Sequence, residues 1–190
     1  MGKVCTHMTM SLDGFIADPH DQVGELFEWY NAGDVTVQSA SMPFTVDPAS
    51  AEFLRELHSN AGALLTGRHL FDITNGWDDN HPVGTPVVVV THSPPPDAGK
   101  WPKTTFIDGV QAAITRAKQI AGNKDVSIAS AKIAQQALEL GLVDEVCLSL
   151  VPVLFGEGIS YFAARSHTLF DDPTVIQGQR ATHLRYPVRR

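Results

Sequence analysis

Residues Asp125 to Gly158, DVSIASAKIAQQALELGLVDEVCLSLVPVLFGEG, decide the fold. They read as a buried strand, a turn of small residues, an amphipathic helix, a second buried strand from Glu145 to Val153, and a glycine loop. Ile133, Ala134, Ala137 and Leu138 recur along one helical stripe, and Gly141 follows as the residue that ends it. In α/β proteins, ligands sit beyond the carboxyl ends of strands, where helix N-termini and glycine loops offer backbone N–H groups. Two such edges fall within this unit, at Ala129-Ser130-Ala131 and at Gly156-Glu157-Gly158.

The same alternation extends outward. Val4 to Leu12 is an extended run closed by Asp13-Gly14. Phe15 to Asp47 reads as irregular, with aromatics at Phe27, Trp29, Tyr30 and Phe44, and a loop of that length suits an active-site cover. Asp47-Pro48 starts a helix with Phe53, Leu54, Leu57, His58 and Ala61 on its apolar face, stopped at Asn60 and Gly62. Ala63 to Thr66 is a short strand, Gly67 to Phe71 opens another helix, and Ile73 to Pro86 is a polar loop. Four valines, Val87 to Val90, suit a strand buried on both faces. Thr104 to Ile107 is a further strand. Asp108 and Gln111 form a capping-box pattern ahead of the helical spacing from Val110 to Ala121. A short helical piece is expected from Gly158 through Arg165, and Thr174 to Tyr186 reads as one polar, alternating edge strand. The pattern predicts a single α/β domain over residues 1–190. Its form is three layers, with a mostly parallel central sheet, antiparallel end strands and helices on both faces.

Composition narrows the function classes. The chain has 190 residues, 43% hydrophobic and 18% charged, which suits a globular core rather than disorder. Fourteen basic against twenty-one acidic residues give a net charge of −7 with no basic run, so a nucleic-acid or anionic-membrane partner is not expected. Arg189-Arg190 reads as a solvated tail. Cys5 and Cys147 fall in separate strands and read as buried free thiols. No apolar run approaches the ~20 residues that span a bilayer, and no secretory signal pattern is present. A cytoplasmic, soluble protein is therefore expected.

Chemistry-bearing residues cluster at strand ends. Thr66-Gly67-Arg68 joins a capping hydroxyl, a residue permitting close approach, and a planar guanidinium fork suited to phosphate. Thr91-His92-Ser93 offers two hydroxyls and an imidazole for a ribose phosphate. Ala129-Ser130-Ala131 opens a helix, with Ser130 either an ordinary N-cap or part of an anion site. The eight histidines show no HxH or HxxxH spacing, and no GxSxG, Walker or GxGxxG motif occurs, so no metal site is expected. A metal-dependent hydrolase using Asp78-Asp79-Asn80-His81 is the weakest alternative.

Several stretches together resemble the dihydrofolate reductase-like family, in particular the branch of the riboflavin-biosynthesis reductase domain and its stand-alone relatives. They are MSLDGFIA at Met10 to Ala17, GALLTGRHLFD at Gly62 to Asp72, GWDDNHPVGTPVVVVTHSPP at Gly76 to Pro95, IAQQALELGLVDEVCLSLVPVLFGEG ending at Gly158, and THLRY at Thr182 to Tyr186. The resemblance implies an NADPH-dependent reductase, often a homodimer, acting on a small molecule. In riboflavin biosynthesis the corresponding enzymes reduce the ribose of a phosphoribosylaminopyrimidinone. It also implies that Thr66, Gly67 and Arg68 meet the cofactor phosphates and that Thr91, His92 and Ser93 flank the 2′-phosphate. Ala129, Ser130 and Ala131 would receive the pyrophosphate, and Leu154 and Gly156 would lie near the nicotinamide. Asp13 and Gly14 would border nicotinamide and substrate, with Asp13 as the candidate to supply or relay a proton or else a purely turn-forming residue. No zinc-binding deaminase segment precedes the domain, so a stand-alone reductase is expected. The family places glycines, or alanine and glycine, where this chain has Ala129-Ser130. Ser130 either donates to phosphate or blocks the pyrophosphate, and in the second case the chain would be a non-catalytic binding or scaffold protein.

Overall fold

The structure, a computed structural model, describes residues 2–162 and 167–189. The first strand, β1, is Val4–Ser11; β2 (Val35–Val37) and β3 (Phe44–Val46) pair as a separate antiparallel ribbon. Then follow α1 (Pro48–Asn60), β4 (Ala61–Gly67), α2 (Arg68–Ile73), β5 (Val87–Val90) and β6 (Thr104–Ile107). The second half contains α3 (Val110–Ala121), β7 (Asp125–Ile128), α4 (Ala131–Glu139), β8 (Glu145–Val151), β9 (Thr174–Gln177) and β10 (Thr182–Pro187). The main sheet runs β6-β5-β4-β7-β1-β8-β10-β9. Strands β6 through β8 in that order are all parallel, and β10 is antiparallel to both β8 and β9.

Alternation along the strands separates the two cores. Leu65, Val88, Val126 and Ile128 pack with Ala113, Ile114, Ile133 and Ala137 of α3 and α4 on one face. Leu64, Val87 and Val89 point the other way, against Phe71 and Trp101. Farther along that second face, Phe53 and Leu54 of α1 meet Val151, Leu26 and Trp29. Helix α1 starts as its sequence predicts. The Asp47 side chain accepts from the N–H groups of Ala49 and Ser50, with Pro48 in the first helical turn.

Five expectations change. The stretch from Phe15 to Asp47 is not irregular throughout: it holds a 3-10 helix, Gly24–Asn31, and the β2–β3 ribbon. Leu26 and Trp29 bury on one side of that helix while Tyr30 packs on Phe44, so side-chain packing orders a segment with little backbone propensity. The C-terminal strand is a hairpin, because Arg180 adopts a left-handed φ of 65° and the Gly178 N–H bonds to the Ala181 carbonyl. Of the two hairpin strands, only β9 lies at a sheet edge. Asp108 does not cap α3; Gly109, at φ 82°, precedes the helix without a side-chain cap, and Asp108 pairs with His92 instead. Thr66 does not cap α2, since its hydroxyl turns toward the Gly67 carbonyl. Of the helical piece expected from Gly158 to Arg165, Ile159 to Phe162 are not helical, and residues 163–166 lie outside the described residues.

Among the described residues, Cys5 and Cys147 are buried free thiols, and no helix is long and apolar enough to cross a membrane. The loop residues suggested for a metal are committed elsewhere. Asp78 accepts from Asn75, Asp79 accepts from the Lys103 N–H and the Thr104 hydroxyl, and His81 Nδ1 accepts from the Val83 N–H.

A polar file crosses the apolar core under α1. Ser50 donates to Asp47 Oδ2 (2.6 Å), so its oxygen accepts from His183 Nε2 (3.0 Å). His183 Nδ1 is then the acceptor for Ser149 Oγ (2.9 Å), and Ser149 in turn accepts from His7 Nε2 (3.1 Å). One carboxylate thereby fixes two neutral imidazole tautomers. The His183 ring also stacks on Phe53 at 4.1 Å. Burial holds His183 down to about 4, and burial together with the nearby His183 holds His7 down to about 3, from an ordinary 6.5. The folded state therefore binds fewer protons than the unfolded chain. This stabilisation is complete above pH 6.5 and is lost as pH falls toward 4, whereas depressed carboxylates act only below about 4. The unfolding free energy from denaturant titration should fall between pH 6.5 and 4, by on the order of 3 kcal/mol for His183. In His183→Gln the slope in that window should be shallower; an equal slope would remove the histidine from the account.

Candidate functional site

Five adjacent parallel strands end on one rim, in the order β5, β4, β7, β1, β8. Each carries one of the stretches singled out from sequence: Thr91–Ser93, Thr66–Arg68, Ala129–Ala131, Asp13–Gly14, and Leu154 with Gly156. Segments far apart in sequence thus form one continuous edge. Parallel pairing brings backbone groups to the same side at every strand end, which is why the rim has this composition.

At the β5–β4 end, Arg68 bridges two elements. Its Nε donates to Asp72 (2.7 Å) and its Nη1 to the Ser93 carbonyl (2.5 Å), so the guanidinium is braced at the surface. The Thr91 hydroxyl meets both the N–H and the carbonyl of Ser93 (3.2 and 3.1 Å), shaping the turn. His92 pairs with Asp108 at 2.6 Å, with both side chains well exposed. Thr66 is fully buried, so it serves this end by its position and not by an exposed hydroxyl.

Between β4 and β7, Gly67 and Ser130 fit together. A Cβ at Gly67 would lie 3.1 Å from Ser130 Oγ and 3.3 Å from Ile133 Cγ1, so the serine hydroxyl tucks into the notch left by the missing side chain. Ser130 begins α4 without capping it through its side chain. The first N–H groups of α4, from Ala131 onward, are free of any side-chain cap at the rim.

At the β8 end, Asp13 closes the glycine loop. Its carboxylate accepts from Ser11 Oγ (2.6 Å), Gly156 N–H (2.7 Å) and Phe155 N–H (3.2 Å). The Ser11 hydroxyl above all, with the Gly156 and Phe155 N–H groups, holds this carboxyl below the usual carboxylate range. It is an ionised acceptor near neutral pH, suited to relaying a proton through water or to orienting the loop. Of the Gly156-Glu157-Gly158 edge expected to offer amides to a ligand, the Gly156 N–H is occupied by it, as is the Phe155 N–H before it. Gly14 N–H bonds to the Ser11 carbonyl, Gly156 has a φ of 76°, and Leu154 is 69% exposed. Gly158 approaches so closely that a Cβ would sit 2.2 Å from the Ala17 carbonyl oxygen.

The segment after β1 completes the site, and its part is not evident from sequence. Asp18 Oδ1 accepts from the N–H groups of His20 and Gln22, a self-capped turn whose sequence sign is an aspartate two residues before the amide it binds. Its tip is pinned to α2, with His69 Nε2 2.9 and 3.0 Å from the Asp21 carboxylate oxygens. That contact joins residues 48 apart and has no local signal. Between this turn and the β8 loop lies an open cleft of about 410 Å³. If Asp13 is the clamp, Asp13→Ala should speed hydrogen exchange of the Phe155 and Gly156 amides at least tenfold in NMR; unchanged exchange would rule the clamp out.

No curated protein matches the chain. Among solved structures, a protein assigned to riboflavin biosynthesis from Shewanella sp. PV-4 is 23% identical, with TM-score 0.74 and 99% of both chains covered. Dihydrofolate reductase from Enterococcus faecalis, complexed with NADP(H), is 13% identical with TM-score 0.61, covering 100% of this chain and 98% of that one. The riboflavin biosynthesis reductase Rib7 of Saccharomyces cerevisiae is 13% identical with TM-score 0.64, covering 99% and 90%. These likenesses establish a dihydrofolate reductase-like fold. The RibD C-terminal domain family matches residues 2–172, and the chain belongs to that family.

Proposed function

We propose that the protein is an NADPH-dependent reductase that delivers hydride to a C=O or C=N carbon of a small heterocyclic or sugar-like substrate. The observation that carries this reading is the Gly67–Ser130 notch. The side chain that replaces a glycine lies in the space freed by another glycine, beside the uncapped start of α4. Family membership and the NADP(H) complex of the structurally similar Enterococcus reductase support it.

The residues present fit such a cofactor. Arg68, Thr91 and Ser93 would hold the 2′-phosphate end, with His92 beside them, and the amides from Ala131 onward the pyrophosphate. Leu154 and the Asp13–Gly156 clamp would flank the nicotinamide. When bound, the reduced nicotinamide supplies the hydride. The chain's own contribution would be alignment, with the rim holding the cofactor and the β8 loop positioning it against the substrate. Asp13, held ionised and so without a proton to give, would orient the water that donates the following proton. A homodimer and a cytoplasmic setting belong to the same proposal.

NADPH titration followed by reduced-nicotinamide fluorescence should give saturable binding. No saturation at millimolar cofactor would favour a scaffold protein that keeps the fold without the chemistry. Ser130→Gly should change NADPH affinity less than about threefold. Gly67→Val, which pushes the hydroxyl out of its notch, should weaken it at least tenfold. A tenfold gain in Ser130→Gly would show instead that the serine obstructs the groove. Asp13→Asn should lower turnover while sparing NADPH affinity.

A further inference from the structure

Two titratable side chains meet at the outer end of the rim, and stability does not account for their pairing. The last step of the β5–β6 ladder sets Val90 opposite Ile107, and the Thr91 N–H donates to the Ile107 carbonyl (2.9 Å). The residues that follow the two strands therefore leave the sheet side by side, and His92 Nδ1 meets Asp108 Oδ1 at 2.6 Å. Asp108 makes this contact instead of capping α3, which begins after Gly109 without a side-chain cap. A helix cap generally stabilises more than an exposed ion pair does.

The contact also fixes the imidazole. A neutral ring that donates its Nδ1 proton to a carboxylate has a bare Nε2, which can only accept until the ring takes up a second proton. Among the described residues that Nε2 has no partner, and the His92 side chain is 90% exposed. The other charged groups at this end are Arg68, its partner Asp72, and the nearby Asp97–Lys100 pair. Arg68 Nη1 donates to the Ser93 carbonyl, so Arg68 braces the Thr91–Ser93 turn from one side and Asp108 from the other. An anion held by Arg68 lies beside the residue next to His92. To a phosphate oxygen the neutral ring offers only a lone pair, whereas the protonated ring offers an N–H. Phosphate binding at this turn is thus favoured when a proton arrives with it, and Asp108 balances the charge that the ring then carries.

Resting on the reductase reading of this rim, we propose that His92 and Asp108 form a proton-linked reader of a ribose 2′-phosphate, with Asp108 as its positioning residue. Binding of the phosphate draws one proton from solution onto Nε2, while a ribose with a free 2′-hydroxyl draws none. The bound state holds the extra proton, so affinity for the phosphorylated ribose falls as pH rises above about 7, and affinity for the hydroxyl form does not.

Adenosine 2′,5′-bisphosphate and adenosine 5′-phosphate differ only in the 2′ group. Each is titrated calorimetrically into the full chain at about pH 8, in two buffers of unlike ionisation heat. The bisphosphate should take up about half a proton or more, and the monophosphate none. Between about pH 7 and 9 the dissociation constant of the bisphosphate should rise about fivefold or more, against less than about twofold for the monophosphate. His92→Gln should remove both effects. Asp108→Asn keeps an oxygen acceptor without its charge and should cut the uptake by about half. Failure of the bisphosphate to bind, equal uptake for the two probes, or uptake unchanged in either variant would overturn the proposal. NADPH is titrated on the same sample. Bisphosphate uptake without NADPH binding overturns only the reductase reading, and NADPH binding without proton uptake overturns only this one.

Discussion

Parallel pairing of β1 with β8, from Cys5 opposite Glu145 to Ser11 opposite Val151, is the constraint on which the rest depends. It places the turn after β1 and the loop after β8 side by side, within reach of one carboxylate. With β7 on its other flank, β1 also carries the sheet across to the uncapped start of α4. A shift of one residue would turn Cys5, His7, Thr9 and Ser11 from the α1 side to the α3–α4 side. Both the polar file through His183 and the Ser11–Asp13 contact would then be lost. Register and site are a single problem here.

The rim that results is electrically graded. Braced guanidinium and free helix amides occupy the β5–β4–β7 end, and Asp13, Asp18, Glu25 and Glu157 gather near β8. The grading also shows how a chain with a net charge of −7 would hold the phosphates of the proposed cofactor: the favourable donors are mostly backbone, and they do not enter the charge count.

Much of the fold was legible in the residues themselves. Val87 to Val90 and Val110 to Ala121 coincide with β5 and α3, because an uninterrupted apolar run and clean helical spacing leave few alternatives, and Thr104 to Ile107 coincides with β6. The strand ends of the candidate site followed once those elements were placed. What escaped is governed by contacts distant in sequence. Trp29 and Tyr30 order the segment after β1 by packing, not by propensity. Arg180 turns the last strand back through a left-handed conformation that arginine rarely adopts. Asp108 has the spacing of a cap yet serves His92, which no pattern within its own helix reveals. The cleft depends on Asp18 and the β8 loop meeting across more than half the chain, so only the fold could show it.

The interlocking of Gly67 with Ser130 carries an evolutionary corollary. Bulk at these two places is a shared quantity, drawn from one small volume between neighbouring strands. A lineage that acquires a side chain at one must stay bare at the other, so the pair should vary as a unit across homologous chains. A glycine that looks merely permissive in this sequence is then the condition under which its partner was free to change.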